Sequence, residues 1–371
     1  MGEEIVVTLN FDARKKHRVI SLPVAGLMTL GLILAACGSS NSSASTKSSS
    51  SGPATTSGSS SASTTAAPNY GTLTFSQVGP DAGKWPIYAA QSEGFFKKAG
   101  ITLDTSVSHS SPTGVQEVIS NAVNIAEVGD TDAISGANGG GAVELVAGEE
   151  NNPPYTINVA KGITSIAQLK GKKVSVAAPT NITKLYWNAV AEGNGLKPTD
   201  FTYVYSPTTG DRYAALTGGV VQAAMLLPPL TFQAEANGYN SIANVGKYLP
   251  YPFTAFAVNP NWAKAHSAEL VAFLKAYLEG VKWLYDPANK AAAIQILMKV
   301  TNTTQSAADQ SYTFFVSQLK TWPTNGSLST SEMAKVAQSM VGLGAFKQAP
   351  PTSKFMDMSY IQQAASELGI S

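Results

Sequence analysis

At 371 residues with 44% hydrophobic side chains, the chain is long enough for two or three domains with substantial cores. Its formal net charge of +1, and the 20 Lys or Arg against 21 Asp or Glu from Tyr70 onward, leave none of the clustered basic surplus that a nucleic-acid binder carries. A single cysteine, Cys37, excludes a disulfide framework, so stability has to come from burial.

Arg14, Lys15, Lys16 and Arg18 precede an almost wholly apolar stretch, residues 19–36, that ends in Leu34-Ala35-Ala36, the layout of a secretory signal with small residues at its cleavage point. Leu-Ala-Ala-Cys resembles a bacterial lipobox. That resemblance implies a signal peptide at residues 1–36, a diacylglyceryl group on Cys37, and a new amino terminus at residue 37. The alternative is an uncleaved membrane helix with a chance cysteine, since 18 apolar residues stand at the margin of a span; Pro23, Gly26 and Gly31 weigh against it. The acidic opening MGEEIVVTLNFD is unlike a signal n-region, which places the expected translation start downstream of Met1. Residues 38–69 hold 19 Ser or Thr and no aromatic side chain. Such a segment buries too little to offset its ordering entropy, so residues 37–69 are expected to be a flexible tether with a mean reach of roughly 30 Å.

Strand and helix patterns then alternate. Residues 72–77 alternate at period two, and residues 86–100 read as a helix opened by Pro86 and closed by Gly100. Strands are expected at 101–107, 124–129 and 142–148, with helices at 113–122 and 131–140 between them. A second series follows: strand 172–178, helix 181–195, strand 201–206, helix 210–219, strand 221–227 and helix 228–238. Repeated βα units imply parallel sheets covered on both faces. After a strand at 252–259 the pattern is purely helical. In residues 267–285, Leu270, Leu274, Tyr277, Leu278, Val281 and Leu284 form one stripe, and four more helices are expected beyond. The two series connect through residues 155–172 and return through 248–260. The expectation is therefore an α/β fold of two lobes joined by two crossing hinge strands, with a helical C-terminal part. Lobe 1 takes residues 70–159 plus 258–371 and lobe 2 takes 160–257.

In open α/β sheets, ligands sit beyond the carboxyl ends of the strands, where helix starts leave amides unpaired. The turns at 79–86, 108–114, 129–132, 178–183, 206–212 and 227–231 are rich in Gly, Pro, Ser, Thr and Asp, which serve equally as caps and turn formers. Candidate ligand-binding residues there are Lys84, Trp85, His109, Ser110, Ser111, Thr113, Asp130, Thr131, Thr180, Asn181, Thr183, Arg212 and Pro228. Trp85 either stacks on a ligand or staples its own helix. Asp130 and Asp132 either accept from an amine or cap the helix they begin. Arg212, Lys84 and Lys184 are the cations available to an anionic ligand, unless surface ion pairs claim them. His109 lies in a crevice loop, His266 in a surface approach to a helix. No G-x-S-x-G elbow, Walker loop or H-E-x-x-H occurs, so no catalytic residue, metal or cofactor is expected.

Residues 86–103 (PIYAAQSEGFFKKAGITL), 162–176 (GITSIAQLKGKKVSV), 193–205 (GNGLKPTDFTYVY) and 214–229 (AALTGGVVQAAMLLPP) resemble ABC-importer substrate-binding proteins of the aliphatic-sulfonate, taurine, nitrate and thiamine-pyrimidine group. The resemblance spans residues 71–371 and implies the periplasmic-binding-protein type II fold. It departs at Ala167-Gln168, where an acidic residue is usual before Leu169, and at Gln222, where Asp is common. It further implies a non-enzymatic, monomeric, lipid-anchored extracytoplasmic protein. Such a protein would capture a small alkanesulfonate-like or heteroaromatic solute between its lobes and deliver it to a membrane permease driven by a separate ATPase. Two competing expectations are a thiamine-pyrimidine enzyme on the same fold and a surface-tethered sensor or adhesion module.

Overall fold

The structure, a computed structural model, describes residues 68–370; the expected signal peptide, Cys37 and nearly all of the expected tether lie outside them. The first series runs β1 (Gly71–Gln77), α1 (Trp85–Ser92), α2 (Phe95–Lys98), β2 (Ile101–Val107), α3 (Ser111–Ile119), β3 (Ile125–Gly129), α4 (Asp130–Asn138) and β4 (Glu144–Glu150). The expected helix at 86–100 is two helices, because Gly94 takes φ 74° and breaks the ladder after α1. A second series follows: β5 (Thr156–Val159), β6 (Lys173–Val176), α5 (Ile182–Gly193), β7 (Thr202–Tyr205), α6 (Thr209–Thr217), β8 (Ala223–Leu226), α7 (Leu230–Ala236) and β9 (Ser241–Asn244). The chain then forms β10 (Thr254–Val258) and the helices α8 (Pro260–Ala265), α9 (Ser267–Tyr285), α10 (Lys290–Thr301), α11 (Gln305–Tyr312), α12 (Thr330–Gly342) and α13 (Ser359–Glu367). Among the described residues, no helix is long and apolar enough to cross a membrane.

Two five-stranded sheets result, ordered β2-β1-β3-β10-β4 and β7-β6-β8-β5-β9. Neither is wholly parallel. β10 runs antiparallel to β3 and β4, and β5 antiparallel to β8 and β9. Each returning segment enters the sheet against the direction of the βα units. The sequence places the division at 159/160 and 257/258. The sheets divide earlier, since β5 already pairs in the second sheet and β10 already pairs in the first. The chain therefore crosses at residues 151–155 and returns at 245–253. The strand β9 carries no clean alternation and is absent from the sequence pattern.

α9 packs its expected stripe, all six residues buried, against the first sheet. Phe256 meets Phe273 and Tyr277 edge-on, with centroids 5.5 and 4.8 Å apart. Each such side chain buried contributes about 1.5–3 kcal/mol. Gly280 lets α9 approach α1: a Cβ there would lie 2.3 Å from the Pro86 carbonyl oxygen. The second sheet is lined by Val174, Val176, Met225 and Ile157 and covered by Trp187 and Val190 of α5. Both departures from the family pattern keep a structural role. The Gln168 amide oxygen accepts from the Thr164 and Ser165 amides at 2.7 and 3.1 Å, and that of Gln222 accepts from the Lys173 amide at 3.1 Å.

Candidate functional site

The turns after β1, β2, β6, β7 and β8 converge on one cavity of about 550 Å³, closed at the back by Tyr155 and Phe253 from the two crossings. Their rings meet edge to face with centroids 4.8 Å apart. A cavity of this size lies within the range that holds a small organic molecule, about 300–1,000 Å³.

Seven of the thirteen candidate residues stand in its wall: Lys84, His109, Ser110, Ser111, Asn181, Thr183 and Arg212. The other six do not, and Trp85 is the clearest correction. As the first residue of α1 it turns inward, fully buried, its indole N–H donating to the Ala293 carbonyl at 3.0 Å and its ring set edge-on to Tyr312. Thr113 is exposed on the first turn of α3, its amide capped by the Ser110 Oγ. The Thr131 Oγ1 accepts from the Ile182 amide at 3.0 Å. Thr180 is half-buried outside the wall. Pro228 is buried, and its carbonyl accepts from the Ala82 amide at 3.2 Å, joining the turn after β1 to the turn after β8.

Asp130 and Asp132 open α4, yet neither side chain caps its amides. The Asp132 Oδ2 accepts from the Asn181 side chain at 2.8 Å. Burial raises the Asp132 pKa to about 6 against the pull of its Ser111 and Asn181 hydrogen bonds. Asp130 is buried with no partner for either carboxyl oxygen, and burial together with nearby Asp132 raises its pKa to about 8.

The cations are neither surface groups nor free. Arg212 is 1% exposed and uses all five N–H groups: Nε donates to the Met225 carbonyl, Nη1 to the Ser206 and Pro207 carbonyls, Nη2 to the Tyr155 hydroxyl and Thr209 Oγ1, all at 2.8–3.0 Å. Its role is to lock the turn between β7 and α6 onto β8. Lys184 lies outside the wall with its ammonium over the Tyr203 ring, 3.0 Å from the centroid, and burial lowers its pKa to about 8. His266 is on the surface, paired with Glu269 at 3.0 Å.

Around Lys84 stand acidic residues that the sequence pattern does not single out. The Lys84 ammonium lies 2.9 Å from Asp81 Oδ2 and 3.4 Å from Glu127 Oε1. Glu127 also accepts from the Val78 amide at 2.9 Å. Behind them Glu149 and Glu150 are fully buried, sharing the Thr254 hydroxyl at 3.1 and 2.8 Å, each with its Oε1 unpartnered. Burial alone would lower the Lys84 pKa, but the four surrounding carboxyls outweigh it and hold the ammonium charged. The carboxyls go the other way. Burial raises Glu127 and Glu149 despite the lysine, and raises Glu150 to about 8. One ammonium cannot balance the carboxylates buried around it, so the three glutamates are pushed toward their protonated forms. The available signal was an acidic residue inside the apolar strand at 124–129 and a Glu-Glu pair directly after the one at 142–148.

A family model described as "NMT1/THI5 like" matches residues 83–291. The "Putative binding protein YtlA" of Bacillus subtilis (strain 168) is 23% identical over 214 residues, 54% of this chain; the match spans 62% of that protein, under two thirds of its length. Among solved structures, the alkanesulfonate-binding protein SsuA from Xanthomonas axonopodis pv. citri, bound to MOPS, superposes with a TM-score of 0.67 at 16% identity, over 79% of this chain and 100% of the other. The periplasmic nitrate-binding protein NrtA from Synechocystis PCC 6803 gives 0.67 at 17% identity, over 80% of this chain and 89% of the other. At such identities the likeness carries the fold, which is that of the periplasmic binding proteins.

Proposed function

The chain belongs to the NMT1/THI5-like family, and from that premise we propose that it is the solute-binding component of an ABC importer. In this reading it is held outside the cytoplasmic membrane by a diacylglyceryl group on Cys37, captures a small organic solute, and hands it to a permease driven by a separate ATPase. The supporting observation is the cavity of about 550 Å³ whose walls come from the strand-end turns of both sheets and whose back comes from the crossings. Two lobes hinged at 151–155 and 245–253 would close on a solute that touches both. Such a solute favours the closed form by its differential affinity alone.

Thermal-shift screening of the full chain against sulfonates, nitrate, pyrimidines and flavins tests this, followed by small-angle scattering at saturation. At least one solute is expected to raise the melting temperature and reduce the radius of gyration. An unchanged radius at saturation overturns the capture mechanism, and conversion of the bound solute, read by mass spectrometry, favours the enzyme reading.

A further inference from the structure

The geometry points to an organic cation or a strong N–H donor, not an oxyanion, as the solute that this cavity selects; the inference rests on the capture reading above. Two kinds of group could attract an anion; the cations are wholly engaged from within, and the helix-start amides in part. The two cationic side chains in the wall are Lys84 and Arg212. Lys84 is 2% exposed and faces two carboxylates. Arg212 has no N–H left to offer.

The second kind is the amide at a helix start, which binds anions because it is unpaired. Around this cavity α3, α5 and α6 each have at least one such amide covered from within. The Thr113 amide donates to Ser110 Oγ, the Ile182 amide to Thr131 Oγ1, the Thr183 amide to Asn181 Oδ1, and the Asp211 amide to Thr208 Oγ1. α6 carries Asp211 in its first turn and α4 carries Asp132, so their dipoles already face negative groups.

Acceptors, by contrast, are in excess. Asp81 and Glu127 stand in the wall, and behind them Glu149 and Glu150 share the one lysine. A solute cation near Asp81 and Glu127 adds positive charge where the protein has one ammonium for four carboxyls, and it lets the cluster release a retained proton. Val78, Leu227, Leu230 and Phe253 supply apolar wall for the remainder of such a solute, with the Tyr155 ring beside them.

Three probes of one shape separate the classes: benzamidine, charged at neutral pH, benzamide and benzenesulfonate. Isothermal titration of the detergent-solubilised full chain is expected to give benzamidine at least about a tenfold advantage over the other two. Leu230→Trp, which fills the cavity, is expected to abolish that binding, and Asp81→Asn to reduce the advantage several-fold. Preferential binding of benzenesulfonate that Leu230→Trp abolishes overturns the charge assignment and leaves solute capture standing. Binding of none of the three up to millimolar concentration overturns the charge assignment and leaves solute capture to the screen and scattering above. Benzamidine binding that survives Leu230→Trp places the cation elsewhere and overturns the assignment.

Discussion

Asp132 and Asn181, 49 residues apart, are joined by a 2.8 Å hydrogen bond that ties the start of α4, beside the first sheet, to the start of α5, beside the second. With the Thr131 Oγ1 to Ile182 amide contact it makes a two-point clasp between the two helix starts, next to Asn181 in the cavity wall. A hydrogen bond to a charged group is worth about 1.5–3 kcal/mol. Asp132→Ala is therefore expected to lower the apparent affinity for any captured solute about tenfold, and to enlarge the solute-free scattering radius. An affinity within twofold of wild type would show that the clasp does not bias the arrangement.

The raised pKa values of Asp130 and Asp132 set a pH dependence. A carboxyl whose pKa is higher folded than unfolded binds more protons in the native state, so its contribution to stability is complete below about pH 4. That contribution is lost as pH rises through about 6 for Asp132 and about 8 for Asp130. Asp130→Asn keeps the shape and removes the charge. It is expected to stabilise the protein by on the order of 2 kcal/mol at pH 8.5, and by less than half of that at pH 5. Urea denaturation at the two pH values checks this; equal gains at both would refute the buried-charge account.

Arg212 gives a prediction that separates scaffold from receptor. Arg212→Ala takes these donors from the buried Met225 and Ser206 carbonyls and from that of Pro207. A loss of about 3 kcal/mol or more is expected. A residue that only contacted solute would weaken binding and leave the urea midpoint in place.

Trp85 and Gly280 test the packing of α1. Trp85→Ala should cost about 3–5 kcal/mol by opening a void beside Tyr312 and removing the indole bond to the Ala293 carbonyl. Gly280→Val should cost about 1–3 kcal/mol, because α9 must move off the Pro86 carbonyl. Denaturation midpoints read both. A stable Trp85→Ala variant with impaired solute binding would restore the stacking role that its burial argues against.

Much of the fold was legible because period and punctuation agree. The run 267–285 keeps its stripe as α9, and each turn of small polar residues after β1, β2, β6, β7 and β8 does reach one cavity. What escaped was whatever depends on partners distant in sequence. β5 reads like its neighbours until its pairing with β8 and β9 is seen, and that pairing shifts the crossings several residues earlier. Trp85 stays open between stacking on a ligand and packing on its own helix in the sequence because its helix-start position is visible locally and the hydrogen bond to Ala293, 208 residues away, is not. Glu127 alternates with apolar residues in β3 like any strand position, and only Lys84 beneath it reveals a buried charge.

Tyr155 and Phe253 are at once the back wall of the cavity and part of the two connecting segments. If the crossings hinge as proposed, whatever presses on those rings presses on the pivot itself, where a small displacement turns into a large swing at the rim. Two molecules of equal affinity need not be equal as cargo. One that slips beneath the ring pair without disturbing it lets the jaws meet, whereas a bulkier one that wedges the rings apart would be gripped yet keep them ajar, occupying the carrier as a competitive blocker.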